Sequence, residues 1–174
     1  MPERLLNEEE ALFVLEMSER EALDRAITQG LLKSAESGKK GNKFRVIDLL
    51  LFELARIMVR TGVDEEKSRR YSEAVLSTRI PDNEKKLLEW VENEAQELLC
   101  LLEDGQLSRI FLRGLVDGKK VDVGAVKPVL FPTVRTEINV FRAIRPVVLR
   151  TRQLKGTGGS RQVHTPAKRS DGTL

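Results

Sequence analysis

One stretch of the sequence concentrates side chains that are suited to binding nucleic acid. Arginine and glutamine can pair with base edges in the major groove, and lysine can neutralise phosphates. The candidate contact residues are Ser18, Arg20, Arg25, Thr28, Gln29, Lys39, Lys40, Lys43 and Arg45. Surface residues that pair with acids such as Glu16, Glu21 and Asp24 would give the same pattern, so both interpretations stay open.

The elements that must position these residues are predicted as helices. Asn7 and Glu10 fit a capping box at the start of a short first helix. Ser18 and Glu21 fit a second capping box, and Gly30 can take the left-handed conformation that ends the second helix. Two short helices joined by so tight a turn pack at a steep angle, as in a helix-turn-helix.

A hairpin and two further helices are predicted next. Short strands are expected at 31–33 and 44–46, with the Gly- and Lys-rich residues 34–43 between them as a basic wing. Asp48 predicts the N-cap of an apolar helix that forms the core of this part, and Asp64 predicts the cap of a fourth helix.

The order of these parts resembles the MerR-like winged helix-turn-helix family over residues 7–76. The matching pieces are Ser18, Gly30-Leu31-Leu32, Phe44-Arg45, Asp48-Leu49 and Arg60-Thr61-Gly62-Val63. The resemblance implies a recognition helix over 19–29 in the major groove, a wing on the phosphate backbone and a later dimerisation helix. Asp24 stands where the family usually has an arginine, and Ile27 where it usually has a large aromatic residue.

A long amphipathic helix is predicted after Pro81, which disfavours helix in the residue before it. This helix would run from Asp82 or Asn83 to about Glu103. Apolar residues recur in it at steps of three and four, which is typical of a coiled-coil dimer seam. The candidate dimerisation residues are Leu88, Val91, Ala95, Leu98 and Leu102. The same stripe could instead pack against the chain's own domain.

A small β-rich module is predicted after Gly105, because the apolar period shortens there. A tight turn at 117–118 joins two of its strands into a hairpin. The segments predicted as strands are 107–116, 119–123, 129–131 and 146–149, with 136–144 fitting helix or strand. From residue 155 onward apolar periodicity is absent, which predicts a basic, disordered tail.

The net charge of +3 is unevenly distributed. Residues 1–80 carry −1, residues 81–105 carry −6 and residues 106–174 carry +10. The basic third would suit a second nucleic-acid surface or an acidic protein partner. Pairing of its arginines with the acidic stretch, within or between subunits, is the interpretation that we favour.

Several classes of function are disfavoured. The sequence offers no phosphate-binding glycine loop, metal-ligand cluster or nucleophile–base set, so we expect no enzyme, cofactor or metal. The single cysteine, Cys100, lies in an apolar stretch and is expected to be a core residue, and His164 lies in the tail. No apolar run reaches a membrane span, and the N-terminus lacks a signal-peptide pattern, so we expect a cytoplasmic protein.

The predicted fold class is a mainly α N-terminal winged helix-turn-helix followed by a long amphipathic helix and a small β-rich (α+β) module. The predicted boundaries are 1–80, 82–104 and 105–154, with the tail at 155–174. The predicted function is a homodimeric transcriptional regulator that binds double-stranded DNA, with an unidentified protein or effector at the C-terminal module. The alternative is a protein-interaction adaptor, which Asp24 and the near-neutral first domain favour.

Overall fold

A computed structural model of the protein describes residues 5–38, 41–77, 89, 91–92, 96–116, 119–125 and 132–156. Over these residues the fold combines α-helices with two antiparallel sheets, in agreement with the predicted mixture of helix and strand.

The first helix, α1 (Glu8–Leu15), begins at the predicted capping box. The Glu10 N–H donates to Asn7 Oδ1 (2.9 Å), and the Asn7 N–H donates to Glu10 Oε2 (3.0 Å). The two bonds satisfy backbone donors that the first helical turn cannot satisfy itself. α1 buries Ala11, Val14 and Leu15.

The second helix, α2 (Arg20–Thr28), ends as predicted but does not begin as predicted. Its N-cap is Glu19, which makes no side-chain capping bond, so the capping box of Ser18 is wrong. The connection from α1 extends through residue 19, which places a non-capping residue at the helix start. At the other end Gly30 has φ +71°, and the Leu31 N–H donates to the Ala26 carbonyl (2.9 Å), as in a Schellman motif.

A hairpin of two short strands follows, β1 (Glu36–Gly38) and β2 (Gly41–Lys43). It lies inside the stretch predicted as a loop, so the strands predicted at 31–33 and 44–46 are wrong. Phe44 is buried and exchanges both backbone hydrogen bonds with Leu6 at 2.8 Å, which leaves it unable to pair with 31–33.

Two packed helices come next, α3 (Val46–Arg60) and α4 (Glu65–Ser77). Asp64 caps α4 as predicted, since the Lys67 N–H donates to its Oδ1 (3.1 Å). α3 begins at Val46, two residues before Asp48, and its N-cap is Arg45, so the cap predicted at Asp48 is wrong. The Asp48 carboxylate instead accepts from the Arg45 guanidinium.

The C-terminal half contains a sheet and a long helix. The strands are β3 (Gln96–Glu103), β4 (Gln106–Val116), β5 (Lys119–Ala125) and β6 (Arg135–Asn139), in the antiparallel order β5-β4-β3-β6. β4 and β5 confirm the predicted hairpin. The helix α5 (Val140–Gly156) includes 146–149, so the strand predicted there is wrong, whereas the strand predicted at 129–131 lies outside the described residues.

The predicted long helix is wrong over 96–103, which form β3. Leu98 and Leu102 are 2% exposed in the protein's own core, so they cannot form a coiled-coil seam. Their spacing of four residues is one turn of a helix and also two repeats of a strand, so the spacing alone does not separate the two. Residues 89 and 91–92 are helical and Val91 is buried, whereas Leu88 and Ala95 lie outside the described residues.

α5 connects the helices to the sheet. It packs against α1 and α3 on one side and against β3 on the other. Its buried side chains join one continuous core, namely Val140, Phe141, Ile144, Val147 and Val148. Across the part of the chain that the structure describes, we find no helix with the length and apolar character that a membrane crossing requires.

Candidate nucleic-acid interface

The predicted contact residues of α2 lie on a surface of mixed charge. Arg20, Arg25, Thr28 and Gln29 are all exposed, and Ser18 is exposed in the connection before the helix. The Thr28 hydroxyl donates to the Asp24 carbonyl (2.9 Å), and Arg25 Nε donates to the Glu21 carbonyl (3.4 Å). The side chains of Glu19, Glu21 and Asp24 are exposed on the same short helix and its cap, so the surface is not uniformly positive.

Glu8 joins the start of α2 to the hairpin. Its carboxylate pairs with Arg20 (2.5 Å) and accepts from the Asn42 N–H (2.9 Å) and Asn42 Nδ2 (3.1 Å). Gly41 permits this approach, because its φ is +92° and a Cβ there would lie 3.1 Å from Glu8 Oε1. One carboxylate therefore holds α1, α2 and β2 in a common arrangement.

The two described cations of the hairpin region are each paired with an acid. Lys43 Nζ lies 2.8 Å from Glu36 Oε2 across the hairpin, and both side chains are about half exposed. Arg45 donates two hydrogen bonds of 2.8 Å to Asp48, whose side chain is 2% exposed. The exposed pair contributes about 0–1 kcal/mol, whereas the buried carboxylate needs its partner. Lys39 and Lys40 lie outside the described residues.

The structure thus joins Arg20 to Asn42 of the hairpin through Glu8, whereas Lys43 pairs with Glu36 across the hairpin. Glu8 was not predicted as a site residue, because its partner Asn42 lies 34 positions away in sequence. The Arg45–Asp48 pair had a local signal, since oppositely charged residues three apart after a strand can meet at a helix start.

A polar groove lies beyond the C-terminal end of α2. It has a volume of about 330 Å³ and is lined by Gln29, Gly30, Leu31, Asp64, Glu65, Glu66 and Arg69. Arg69 Nη1 donates to the Gly30 carbonyl (3.4 Å), which joins α4 to the end of α2. The three acids make this end of α2 unfavourable for phosphate.

No protein-family model matches the chain. No curated protein matches it either. The geometry of the site is therefore the basis for any functional conclusion.

Two arginines of the C-terminal part pair with acids of residues 81–105. Arg135 Nε lies 2.9 Å from Glu103 Oε1, and Arg152 Nη1 lies 2.5 Å from Glu92 Oε2. The predicted pairing with the acidic stretch is thus confirmed for Arg135 and Arg152, whereas Arg145 and Arg150 donate to backbone carbonyls.

Cys100 is fully buried in β3. Desolvation raises the pKa of its thiol to about 12, so it is a neutral core side chain at physiological pH. Among the described residues no group of three or more His, Cys, Asp or Glu side chains could hold a metal ion.

Proposed function

We propose that this chain is a cytoplasmic, dimeric transcriptional regulator that binds double-stranded DNA through a MerR-like winged helix-turn-helix. In this proposal α2 enters the major groove, the β1–β2 hairpin contacts the phosphate backbone, and the protein needs no cofactor and catalyses no reaction. The protein partner or effector of the C-terminal part is left open.

The observation that carries the proposal is the order and joining of the elements. α1, α2, a short hairpin, α3 and α4 follow one another as in that family. The Glu8 carboxylate holds the hairpin beside the first turn of α2. A helix and a hairpin on one side of a domain can contact a groove and its flanking backbone together.

The charges of this surface predict weak binding with a strong dependence on salt. Arg20 and Lys43 are 63% and 49% exposed and each is paired with a carboxylate, which a DNA phosphate must replace. Contacts to phosphates release counterions, so the affinity falls as the salt concentration rises.

A mobility-shift titration with mixed genomic DNA, repeated at several salt concentrations, tests the proposal. Lys39→Ala/Lys40→Ala/Lys43→Ala and Arg20→Ala are each expected to weaken binding and to reduce its salt dependence by about one unit of slope per lost phosphate contact. Arg70→Ala, an exposed arginine of α4, is the matched control and is expected to have no effect. A shift that survives all these substitutions, or no shift at low salt, would contradict the proposal.

A second candidate function is a protein-interaction adaptor that uses the same surface. The exposed acids of α2 and its cap favour it, because they repel phosphate. Glu21→Gln/Asp24→Asn in the full chain separates the two functions. Under DNA binding this variant binds DNA more tightly than the natural sequence, whereas under the adaptor function it loses its protein partner and gains no DNA affinity.

A further inference from the structure

Two exposed apolar side chains lie beside the junction of α1 and α5. Phe13 and Leu149 are each 48% exposed, and they are two of the three most exposed large hydrophobic residues in the described ranges. Arg150 joins the two helices, because it donates to the Val14 carbonyl (3.0 Å) and pairs with Glu16. Phe13 and Leu149 each neighbour a residue of this junction, and both side chains face solvent.

The two helices carry opposite charges. α1 contains three glutamates and no basic residue, whereas α5 contains only basic charged residues. On α1 the exposed Glu9 lies one turn from Phe13. On α5 the exposed Arg142 and Arg152 lie two turns and one turn from Leu149. Phe13 is therefore flanked by an acid and Leu149 by two arginines, of which Arg152 also pairs with Glu92.

We propose that this α1–α5 surface, formed by Glu9, Phe13, Arg142, Leu149 and Arg152, binds a second copy of the chain. A two-fold interface uses the same patch on both protomers. When the axis runs between the two helices, α1 of each protomer meets α5 of the other. At each of the two equivalent contacts, the acidic residues of α1 then face the basic residues of α5. Phe13 and Leu149 lie within these contacts.

Complementary charge favours a second copy of the chain over other partners, and it favours the two-fold axis described above. An axis that placed α1 on α1 would set glutamates against glutamates and arginines against arginines, which is destabilising. A nucleic acid or an acidic peptide would be attracted by α5 and repelled by α1. A cationic partner would be attracted by α1 and repelled by α5. A second copy carries both stripes and satisfies both at once.

The size of the surface predicts a dimer that dissociates on dilution. α1 has 8 residues and α5 has 17, so they span about 12 Å and 25 Å at 1.5 Å per residue. Stable complexes usually bury roughly 800 Å² per partner, and two helices of this length bury an area at or below the low end of that class.

Sedimentation equilibrium of the full chain, without nucleic acid, tests the proposal. The natural sequence is expected to show a reversible monomer–dimer equilibrium, and Phe13→Lys and Leu149→Glu are each expected to raise the dimer Kd about tenfold or more. Val134→Glu is the matched control, because Val134 is 59% exposed but lies before β6. A natural chain that stays monomeric at its highest soluble concentration, or a control that weakens the dimer equally, overturns the proposal.

Mixing the two variants tests which helices meet. In a heterodimer of Phe13→Lys with Leu149→Glu, the introduced lysine faces the introduced glutamate at one contact, and Phe13 faces Leu149 at the other. The heterodimer is therefore expected to exceed both homodimers, whereas no preference for it overturns the exchange of α1 and α5. Circular-dichroism melting confirms that each variant is folded. The inference rests on the dimer of the proposed function, but these measurements need no DNA, so a failure of the dimer and a failure of DNA binding are distinguishable.

Discussion

Arg20 of α2 and two arginines of α5 differ in the partners that hold them. Arg20, at the start of α2, is 63% exposed and pairs with a side chain, Glu8. In α5, Arg145 Nε donates to the Val91 carbonyl (2.9 Å), and Arg150, which is 20% exposed, donates to the Val14 carbonyl (3.0 Å). A backbone carbonyl is fixed by the fold, whereas the exposed guanidinium of Arg20 can exchange its carboxylate partner for a ligand.

The same contrast extends to the apolar residues of the two helices. α2 buries Leu23 and Ala26, whereas α5 places five buried apolar side chains between residues 140 and 148 in the core. Residue type and charge therefore do not indicate which of the two helices could bind a ligand. The burial of each residue and the rigidity of its partner are the better indicators.

The largest expected effect is at the start of α5. Phe141→Ala removes a side chain that is 1% exposed, and we expect it to lower the free energy of unfolding by about 3–5 kcal/mol. Because the core is continuous, chemical denaturation followed by circular dichroism should show one weakened transition. Val134→Ala, on an exposed residue, is the control and should change stability by less than about 0.5 kcal/mol. Two separated transitions would contradict the single core.

The next effect concerns the pair at the start of α3. Arg45→Ala leaves the Asp48 carboxylate, which is 2% exposed, without its guanidinium, and we expect a loss of about 2–3 kcal/mol in the free energy of unfolding. Lys43→Ala, which breaks the half-exposed pair with Glu36, is the comparison and should lose less than about 1 kcal/mol. If urea denaturation gives equal losses in the free energy of unfolding for the two variants, burial of the carboxylate does not determine the strength of the pair.

Local signals explain which elements the sequence could predict. The hairpin of β4 and β5 has strand alternation around a short turn, and the first helix has its capping box in adjacent residues. The segment 96–103 fits helix and strand alike, and its pairing with β6, through Cys100 and Ile138, decides between them. At 146–149, Pro146 disfavours a helix interior and the two valines favour strand locally, whereas burial of Val147 and Val148 on the core stabilises the helix.

The candidate site was predictable in residue type but not in pairing. Arg20 and Lys43 could be identified as exposed cations from the pattern alone. That Glu8 would join Arg20 to Asn42 depends on how α1 packs against the hairpin, which no local spacing indicates. The identity of the acids that pair with a basic surface can therefore be known only from the folded structure.

A smaller effect is expected at the end of α2. Gly30→Ala places a Cβ at φ +71°, and we expect the free energy of unfolding to fall by about 1 kcal/mol, because the left-handed conformation disfavours a side chain. Gly38→Ala is a matched control in β1, where an added Cβ meets nothing within 4 Å. Denaturation curves of the two variants that coincide would contradict the role of the Schellman motif at this helix end.

The smallest expected effect on stability is at the exposed arginine of α2. Arg20→Ala should change the free energy of unfolding by less than about 1 kcal/mol, because the pair with Glu8 is partly solvated. Glu8→Gln also removes the ion pair but keeps an oxygen that can accept from the Asn42 N–H. If Arg20 is held for a ligand phosphate, Arg20→Ala weakens DNA binding and Glu8→Gln strengthens it, since the carboxylate no longer competes. Urea denaturation and mobility shift in one buffer measure both quantities. DNA affinities that fall equally in the two variants would mean that the pair only supports the fold.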